Sequence, residues 1–165
     1  MIERTLVLLK PDAVKRGLMG RILSRFEDAG FKVVGAKMAW ADEKLARKHY
    51  DDIGGVGKRR GENVLQHMIK IITSGPVLAL CLEGIQAVDT VRKMVGSTEP
   101  KSAAPGTIRG DFTHMSFSYA DAQNKGVENV IHASGNGEEA QKEISLWFAA
   151  KELHSYKTVH EAHTF

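Results

Sequence analysis

A histidine that ends a short apolar stretch is the side chain of this sequence best suited to covalent chemistry. Residues 129–132 read Asn-Val-Ile-His, and small residues and a predicted helix follow. The β-branched residues favour a strand, which places His132 at the strand end, facing the turn that comes next. A neutral imidazole can act as a nucleophile when a carboxylate such as Glu143 fixes its tautomer. The pattern therefore predicts an enzyme that carries a group on His132, with a packing histidine as the alternative.

Three basic side chains are candidates for binding phosphate. Lys10 ends the first predicted strand beside a proline, Arg92 lies on an amphipathic helix, and Arg109 stands in the long segment 96–112. Lys10 and Arg92 could alternatively be ordinary solvent-exposed residues. Arg109 is harder to explain in that way, because a segment as long as 96–112 without regular structure usually binds something. Each charge-assisted hydrogen bond to a phosphate contributes ~1.5–3 kcal/mol, so three such residues could hold a triphosphate.

The glycine-rich segment 51–61 looks like a phosphate-binding loop but lacks two of its features. No serine or threonine follows Lys58 to bind Mg²⁺, and no apolar strand precedes the glycines. We expect a flexible lid or surface loop here, with the basic cluster 58–60 in solvent. Any phosphate site must therefore be built from side chains.

The remaining histidines are expected to be structural or exposed, with one exception. His114 ends the long segment and is a competing candidate for catalysis. The histidines of the C-terminal tail lack the framework of a zinc site. His49 and His67 are expected in structural or exposed positions on helix faces, whereas Trp40 and Trp147 are expected in the core.

The composition is that of a globular protein, predicted as a single domain over residues 1–165. Hydrophobic residues make up 42% of the chain, which excludes a disordered protein. No apolar run could span a membrane, no signal-peptide pattern opens the sequence, and the lone Cys81 cannot form a disulfide within the chain, so we expect a cytoplasmic protein. The net charge of +3 lacks the dense basic stripe of a nucleic-acid-binding protein, which makes nucleic acid an unlikely partner.

Hydrophobic periodicity predicts four strands and five helices in a largely alternating order. The predicted strands span residues 4–9, 31–40, 76–82 and 129–132, and the predicted helices span residues 16–29, 43–50, 63–73, 85–95 and 136–149. The simplest packing of this order is α+β, a ferredoxin-like split βαβ arrangement. It would have a four-stranded antiparallel sheet with its flanking helices on one face.

Several separate motifs, in the right order, resemble the nucleoside diphosphate kinase family. They are ERTLVLLKPDAVKRGLMGRILSRFEDAGF near the N-terminus, SGPVLALCLEG in the middle, and TEPKSAAPGTIRGDF followed by NVIHASGNGEEAQKEISLWF. Together they cover most of the chain. The resemblance implies a ferredoxin-like fold and a two-step, ping-pong transfer. The γ-phosphate of a nucleoside triphosphate would pass to a histidine and then to a nucleoside diphosphate.

Carried onto this sequence residue by residue, the resemblance makes His132 the phosphorylated nucleophile, through Nδ1. Glu143 would orient the imidazole ring, and Ser134 would be its neighbour in a hydrogen-bond network. Tyr50 would lie beside His132 at the phosphate pocket. These assignments make the His132 prediction much stronger than the strand-end pattern alone.

The resemblance also implies how nucleoside di- and triphosphates would be held. Mg²⁺ would be bound mainly through the nucleotide phosphates and water, with Asp111 nearby. Asn129 and Lys10 would touch the ribose hydroxyls. The β- and γ-phosphates would be held by Lys10, Arg92, Thr98 and Arg109.

The sequence departs from the family pattern where the base would bind. The family's base-stacking aromatic residue has no counterpart, because the equivalent position falls near Val64. The loop 51–62 is longer than usual, and Arg59 or Arg60 could replace an arginine expected there. An extra segment, 116–127, precedes the histidine strand and could cover the site or form a subunit contact. We therefore expect intact phosphate chemistry with altered nucleotide affinity.

The same resemblance implies an oligomeric state and bears on whether the protein is an active enzyme. It implies a homo-oligomer, with a hexamer favoured and a tetramer as the alternative. A nucleotide-binding relative without turnover is the competing hypothesis for function. An active enzyme is favoured because six functional positions are retained together: Lys10, Arg92, Arg109, Asn129, His132 and Glu143.

Overall fold

A four-stranded antiparallel sheet forms the centre of the fold. The computed structural model describes all 165 residues. The strands are β1 (Ile2–Leu9), β2 (Lys32–Ala39), β3 (Val77–Ile85) and β4 (Ile131–Ala133), in the sheet order β2-β3-β1-β4. Every neighbouring pair is antiparallel. The predicted α+β, ferredoxin-like arrangement is confirmed.

The pairing of β1 with the edge strand β4 brings distant parts of the chain together. In β1, Leu8 pairs with His132 of β4, so the histidine lies beside the C-terminal end of β1, and Lys10 directly follows that strand. The backbone N–H of Lys10 donates to the carbonyl of Val130 at 2.9 Å, which continues the pairing beyond the strand. Two candidate residues far apart in sequence therefore become neighbours.

Helices fill the connections between the strands. They are α1 (Pro11–Lys15), α2 (Met19–Asp28), α3 (Glu43–Arg47), α4 (Val56–Arg60), α5 (Glu62–Ile72), α6 (Ala87–Val95), α7 (Ile108–Phe112), α8 (Phe117–Ala122), α9 (Gly137–Trp147) and α10 (Glu161–Thr164). A π-helical segment, Lys48–Ile53, follows α3, and 3₁₀ turns lie at Pro100–Ser102 and Ala150–Glu152. None of these helices is both long and apolar enough to cross a membrane.

Helices cover both faces of the sheet, so the prediction of helices on one face was wrong. Leu6 and Leu8 of β1 belong to one apolar cluster, together with residues of α5 and α9. Val7 and Leu9 belong to a second cluster, with residues of α2 and α6. Successive side chains of a strand point to opposite faces, so an uninterrupted apolar run is what a doubly covered strand requires. The run 6–9 of β1 is such a sequence.

Two local expectations were also wrong, and both concern the region after β2. Residues 51–61 form the end of the π-helical segment and α4 instead of an open loop. Gly55 and Gly61, with φ values of 59° and 90°, bound α4 on either side. Trp40 is 69% exposed, although a core position was expected. The indole instead donates its Nε1–H to the carbonyl of Thr73 at 3.0 Å at the surface.

Candidate active site

One large cleft lies where β1, β4, α5, α6 and α9 approach one another. Its volume is about 910 Å³, within the range of about 300–1,000 Å³ typical of small-molecule sites. Nine residues singled out from the sequence line this cleft: Lys10, Tyr50, Val64, Arg92, Thr98, Arg109, Asn129, His132 and Glu143. The fold thus brings together side chains from almost the full length of the chain.

His132 is held by a buried carboxylate. Its Nε2 lies 2.9 Å from Oε1 of Glu143 on α9, and the second carboxylate oxygen accepts a hydrogen bond from Ser134 Oγ at 2.6 Å. An ionised carboxylate can only accept, so Nε2 carries the proton of a neutral His132. Nδ1 is then the nitrogen with a free lone pair. The predicted network of these three residues is present.

Glu143 remains charged in this buried position. Burial alone would raise the pKa of the carboxyl group, but attraction to His132 in its protonated form, the hydrogen bond from its ring and the Ser134 hydroxyl hold that pKa below its usual range. A carboxylate that is ionised throughout the physiological range keeps one tautomer of His132 dominant. The orientation of the ring is therefore set before any ligand arrives.

His49 is a further member of this group that the sequence analysis assigned only to a structural or exposed helix face. It is buried, and its ring packs edge-on against His132 with 4.4 Å between the ring centroids. Burial, together with the nearby charge of His132, lowers the pKa of His49 to about 3, so it stays neutral. Its Nδ1 accepts a hydrogen bond from Trp147 Nε1 at 3.3 Å. The adjacency to Tyr50 was the only sequence signal that could have revealed it.

Tyr50 lies beside the same histidine. The two ring centroids are 6.4 Å apart and the rings are nearly perpendicular. Burial is the main reason that the pKa of the phenol is raised, so Tyr50 remains protonated. Its buried hydroxyl has no hydrogen-bond partner in the protein. A buried hydroxyl without a partner at a cleft wall is suited to donating to a bound ligand.

Basic side chains line the cleft next to His132. Lys10 Nζ donates to Asn129 Oδ1 at 2.7 Å, and Asn129 Nδ2 donates to the carbonyl of Thr98 at 2.8 Å. Arg109 uses its guanidinium to hold backbone carbonyls of Gly96 and Ile131, at 2.9 Å and 2.7 Å. These cations are oriented by the protein itself and do not depend on a ligand for their positions.

These cations are destabilised in the absence of an anion. Burial, and then the charge of Arg109, lower the pKa of Lys10 to about 8. Burial, and then the charge of Arg92, lower the pKa of Arg109 to about 10. Three positive charges therefore converge, and the nearby carboxylate of Asp12 offsets the cost for Lys10 only in part. A polyanionic ligand such as a phosphate chain would relieve this repulsion.

The chain reaches β4 through a strained turn. Val130 has a φ of 60°, which is rare for a β-branched residue. The N–H of Ile131 donates to the carbonyl of Asn129 at 2.7 Å, a bond that spans Val130 as in a γ-turn. Asp12 Oδ2 accepts from the N–H of Val130 at 2.9 Å and holds the turn from the other side. The turn directs Asn129 and His132 into the same cleft. No sequence pattern predicted this turn.

Asp111 is not part of this group, in contrast to the expectation that it would lie near a metal ion. Its two carboxylate oxygens are engaged elsewhere, one by the N–H of Gly106 at 2.8 Å and the other by Arg25 at 2.9 Å. Asp111 lies within α7 and does not line the cleft. The carboxylate stabilises the segment that carries Arg109 and is not available as a ligand. His114, the competing candidate for catalysis, is likewise absent from the cleft lining.

The opposite end of the cleft is formed by α5 and the extra segment 116–127. Val64 lines the cleft as expected, but it is an aliphatic side chain partly packed on the core. The residues of this end that the sequence analysis did not assign to the site are His67, Met68, Phe117, Asp121 and Lys125. Phe117 is an aromatic residue in the segment that the sequence analysis had identified as extra.

Comparisons with known proteins agree with this geometry. The family model "Nucleoside diphosphate kinase" matches residues 3–153. A nucleoside diphosphate kinase of Borreliella burgdorferi is 47% identical over 159 residues, which is 95% of this chain and 93% of that protein. One from Pyrococcus furiosus is 49% identical over 155 residues, covering 94% of this chain and 88% of that protein.

Solved structures give the same result. A transition-state mimic of the Borrelia burgdorferi nucleoside diphosphate kinase, with bound vanadate and ADP, is similar with a TM-score of 0.96 at 45% identity, covering 99% of this chain and 96% of that chain. A Halobacterium salinarum nucleoside diphosphate kinase in complex with CDP has a TM-score of 0.83 at 37% identity, covering 98% of this chain and 97% of that chain. The chain belongs to the nucleoside diphosphate kinase family and is a phosphotransferase of that type.

Proposed function

We propose that this kinase works in two steps through a phosphohistidine on Nδ1 of His132. The observation that carries the proposal is the hydrogen bond between Nε2 of His132 and Glu143, which leaves Nδ1 as the nucleophilic nitrogen in a cleft lined by cations. The related Borrelia burgdorferi enzyme has been captured with bound vanadate and ADP as a transition-state mimic, which supports phosphoryl transfer as the reaction.

The first step forms a bond between Nδ1 and the γ-phosphorus while the bond from that phosphorus to the bridging oxygen of the nucleoside diphosphate breaks. The electron pair of the broken bond stays on the leaving diphosphate, whose charge Lys10, Arg92 and Arg109 neutralise. The proton on Nε2 remains hydrogen-bonded to Glu143, which stabilises the positive charge that develops on the ring. In the second step an acceptor diphosphate attacks the phosphohistidine, and the same bonds are exchanged in reverse.

Positioning and charge neutralisation explain most of the expected rate. Phosphoryl transfer needs alignment of the reacting atoms and stabilisation of charge on the phosphate oxygens, both of which fixed cations supply. The buried Tyr50 hydroxyl, which lacks a protein partner, would donate to the phosphoryl group on His132. Asn129 and Lys10 would contact the ribose hydroxyls, and Thr98 would contact the phosphates.

Mg²⁺ would reach this site with the nucleotide. It prefers hard oxygen ligands in octahedral geometry, and the acidic side chains of the cleft do not provide such a set. Glu143 is engaged by His132 and Ser134, and Glu139 accepts from the N–H of Gly135. Asp121 of α8 is the third carboxylate of the lining and would supply only a single ligand group. The residues present therefore fit an ion bound through phosphate oxygens and water. Bound in this way, Mg²⁺ would neutralise charge on the phosphate chain.

A homo-oligomer, with a hexamer favoured over a tetramer, is proposed on the family relationship. The edge strand β2 has a free side, and Met38 at 51% exposure and Trp40 lie exposed at its end, which supports burial in an assembly. Size-exclusion chromatography with light scattering would measure the mass directly. A monomer at micromolar concentration would refute this part of the proposal.

The experiment for the chemical proposal is incubation with γ-labelled ATP and Mg²⁺, with His132→Ala as the matched variant. We expect an acid-labile, base-stable label on the wild-type protein and none on the variant. Addition of GDP should remove the label and yield labelled GTP. Folded wild-type protein that takes up no label, or a variant that is labelled equally, would refute the His132 mechanism.

A further inference from the structure

The extra segment 116–127 forms one wall of the cleft. Phe117, Asp121 and Lys125 of this segment line the cleft together with Val64 and His67 of α5. The segment also packs directly on α5, because a Cβ atom added at Gly126 would lie 2.5 Å from Ile71 Cδ1 and 3.1 Å from His67 Cβ. This end of the cleft is therefore bounded by two walls, one on α5 and one on the extra segment.

The start of this segment is fixed in place. The N–H of Phe117 donates to Glu99 Oε1 at 2.8 Å, and the N–H of Lys101 donates to the carbonyl of Met115 at 3.0 Å. Ser116 caps α8 by accepting from the N–H of Tyr119 at 3.2 Å. Phe117 is thus the first residue of a capped helix whose backbone is tied to the 3₁₀ turn beside it. A side chain on such a backbone is preorganised for binding.

The chemistry of the two walls is unequal. The α5 wall presents Val64, Met68 and His67, none of which has a benzene ring. Phe117 is the aromatic hydrocarbon ring at this end of the cleft, and 37% of its surface is exposed. An exposed phenyl ring that lines a ligand cleft has a free face, and nucleobases stack on such faces with little regard to their identity.

We propose that Phe117 is the residue on which the nucleobase stacks, taking the role for which α5 offers only an aliphatic side chain. The proposal rests on the proposed nucleotide substrate and deepens it by naming the determinant of base affinity. The base lies between Phe117 and the Val64 wall, while the phosphates extend toward Lys10 and Arg109. Purines, which have the larger ring system, gain more from this contact than pyrimidines do.

Steady-state kinetics with three substitutions test the proposal. Phe117→Leu keeps apolar bulk but removes the aromatic face, Phe117→Ala removes both, and Phe117→Tyr restores the ring. We expect the KM for ADP to rise about tenfold in the first two, within the range for aromatic–base stacking, with kcat unchanged. The KM for CDP should rise less, and Phe117→Tyr should resemble the wild type.

A matched control lies on the opposite wall. His67→Ala removes an imidazole that also lines the cleft, and the proposal predicts a smaller rise in KM for this variant than for Phe117→Ala. Unchanged KM values in both Phe117→Ala and Phe117→Leu would overturn the proposal. An effect confined to His67→Ala would also overturn it, because the stacking face would then belong to α5.

Direct binding separates this proposal from the catalytic mechanism. In Phe117→Trp, ADP titration should quench the new indole, compared with the same titration of the wild type, which contains Trp40 and Trp147. This signal does not require phosphoryl transfer, so it remains informative if His132 carries no phosphate. ADP that binds Phe117→Trp without changing its emission beyond the wild-type response would contradict stacking.

Discussion

The two ends of the cleft are built in different ways. At the phosphate end, Lys10, Arg109 and Asn129 are buried and are positioned by hydrogen bonds to one another or to backbone carbonyls near β1 and β4. At the base end, the lining comes from α5 and the extra segment 116–127, and Phe117 remains substantially exposed. The first end is fixed by the sheet, whereas the second is a surface of helices added to it.

Because of this difference, we expect substitutions at the phosphate end to change the reaction rate and substitutions at the base end to change substrate affinity. Residues fixed by the sheet align the reacting atoms, so changes there alter the reaction itself. Residues on the added helices contact a part of the substrate remote from the reacting phosphorus. Binding energy of that kind, equal in ground and transition states, changes KM and leaves kcat unaltered.

Among the substitutions considered, Lys10→Met at the phosphate end should lower activity the most. Loss of a buried charge that contacts phosphate should lower kcat/KM by about 100-fold, since charge-assisted hydrogen bonds contribute ~1.5–3 kcal/mol each. The same substitution should stabilise the ligand-free protein. The folded state lowers the pKa of Lys10 from 10.5 to about 8, so below pH 8 the buried charge costs stability, and the cost fades as pH rises toward 10.5. Its upper limit is about 3 kcal/mol.

Chemical denaturation at pH 7 and initial rates would measure the two effects of Lys10→Met. Lys15→Met is a suitable control because Lys15 is exposed and donates to the Ser74 carbonyl at the surface. A Lys10→Met protein that is both inactive and less stable than wild type would contradict the view that the buried positive charge of Lys10 lowers the stability of the folded protein.

Glu143→Gln should reduce the rate while leaving affinity intact. The amide keeps the shape of the carboxylate but loses the charge that stabilises a positively charged imidazole ring. A hydrogen bond to a charged group contributes ~1.5–3 kcal/mol, which corresponds to about 10–100-fold in rate. We expect a fall of that size in kcat with nearly constant KM, measured as the single-turnover rate of phosphoenzyme formation. Ser134→Ala, which removes one hydrogen bond to Glu143, should lie between wild type and Glu143→Gln. A change in KM alone would contradict the assigned role of Glu143.

The sequence predicted the phosphate end far better than the base end. The apolar run of β1, the strand before His132 and the motif around Arg109 are local patterns, so their placement followed from the residues and from the family resemblance. The positive φ of Val130 and the contact between His49 and His132 depend on tertiary packing, so no local pattern reveals them. The glycines of residues 54–57 suggested a loop, but Gly55 and Gly61, both with positive φ, bound α4 on either side, because glycine is as compatible with a helix boundary as with a loop.

The prediction for Asp111 shows a related limit. Asp111 lies two residues from Arg109, which suggested a place near the phosphates. Its carboxylate lies in the first turn of a short helix and is already hydrogen-bonded to Gly106 and Arg25. Whether an acidic side chain is free to bind a metal depends on neighbours that the sequence does not identify. The single-domain organisation and cytoplasmic location remain predictions.

Alkaline pH should weaken substrate capture through the phosphate end. Because the pKa of Lys10 is about 8 in the free enzyme, its charge is present below that pH and is lost above it. We expect kcat/KM to fall about eightfold between pH 7.5 and pH 9, whereas kcat should change little because bound phosphates hold the proton on Lys10. Lys10→Arg should move the fall to higher pH. A flat profile for the wild type would contradict the assignment.

Arg59→Ala should have the smallest effect, because this arginine lines the open, helical side of the cleft. Its guanidinium is also bonded to the carbonyl of Gly54. We expect about a twofold rise in the KM for ATP that diminishes in 0.5 M salt, as is typical of exposed charges separated by more than a Debye length of about 4 Å. Arg60→Ala provides the neighbouring comparison, and measured initial rates at two salt concentrations are sufficient. A loss of kcat in either variant would place catalytic function on α4.

The position of the phosphate on the imidazole ring tests the central claim most directly. Phosphoenzyme prepared with ATP and Mg²⁺ would be mapped by tandem mass spectrometry, and the phosphorylated nitrogen would be identified by ¹⁵N and ³¹P NMR. The account predicts a single modified residue, His132, phosphorylated on Nδ1 because Glu143 holds Nε2. A phosphate on Nε2 of His132, or on another residue such as His49, would contradict it.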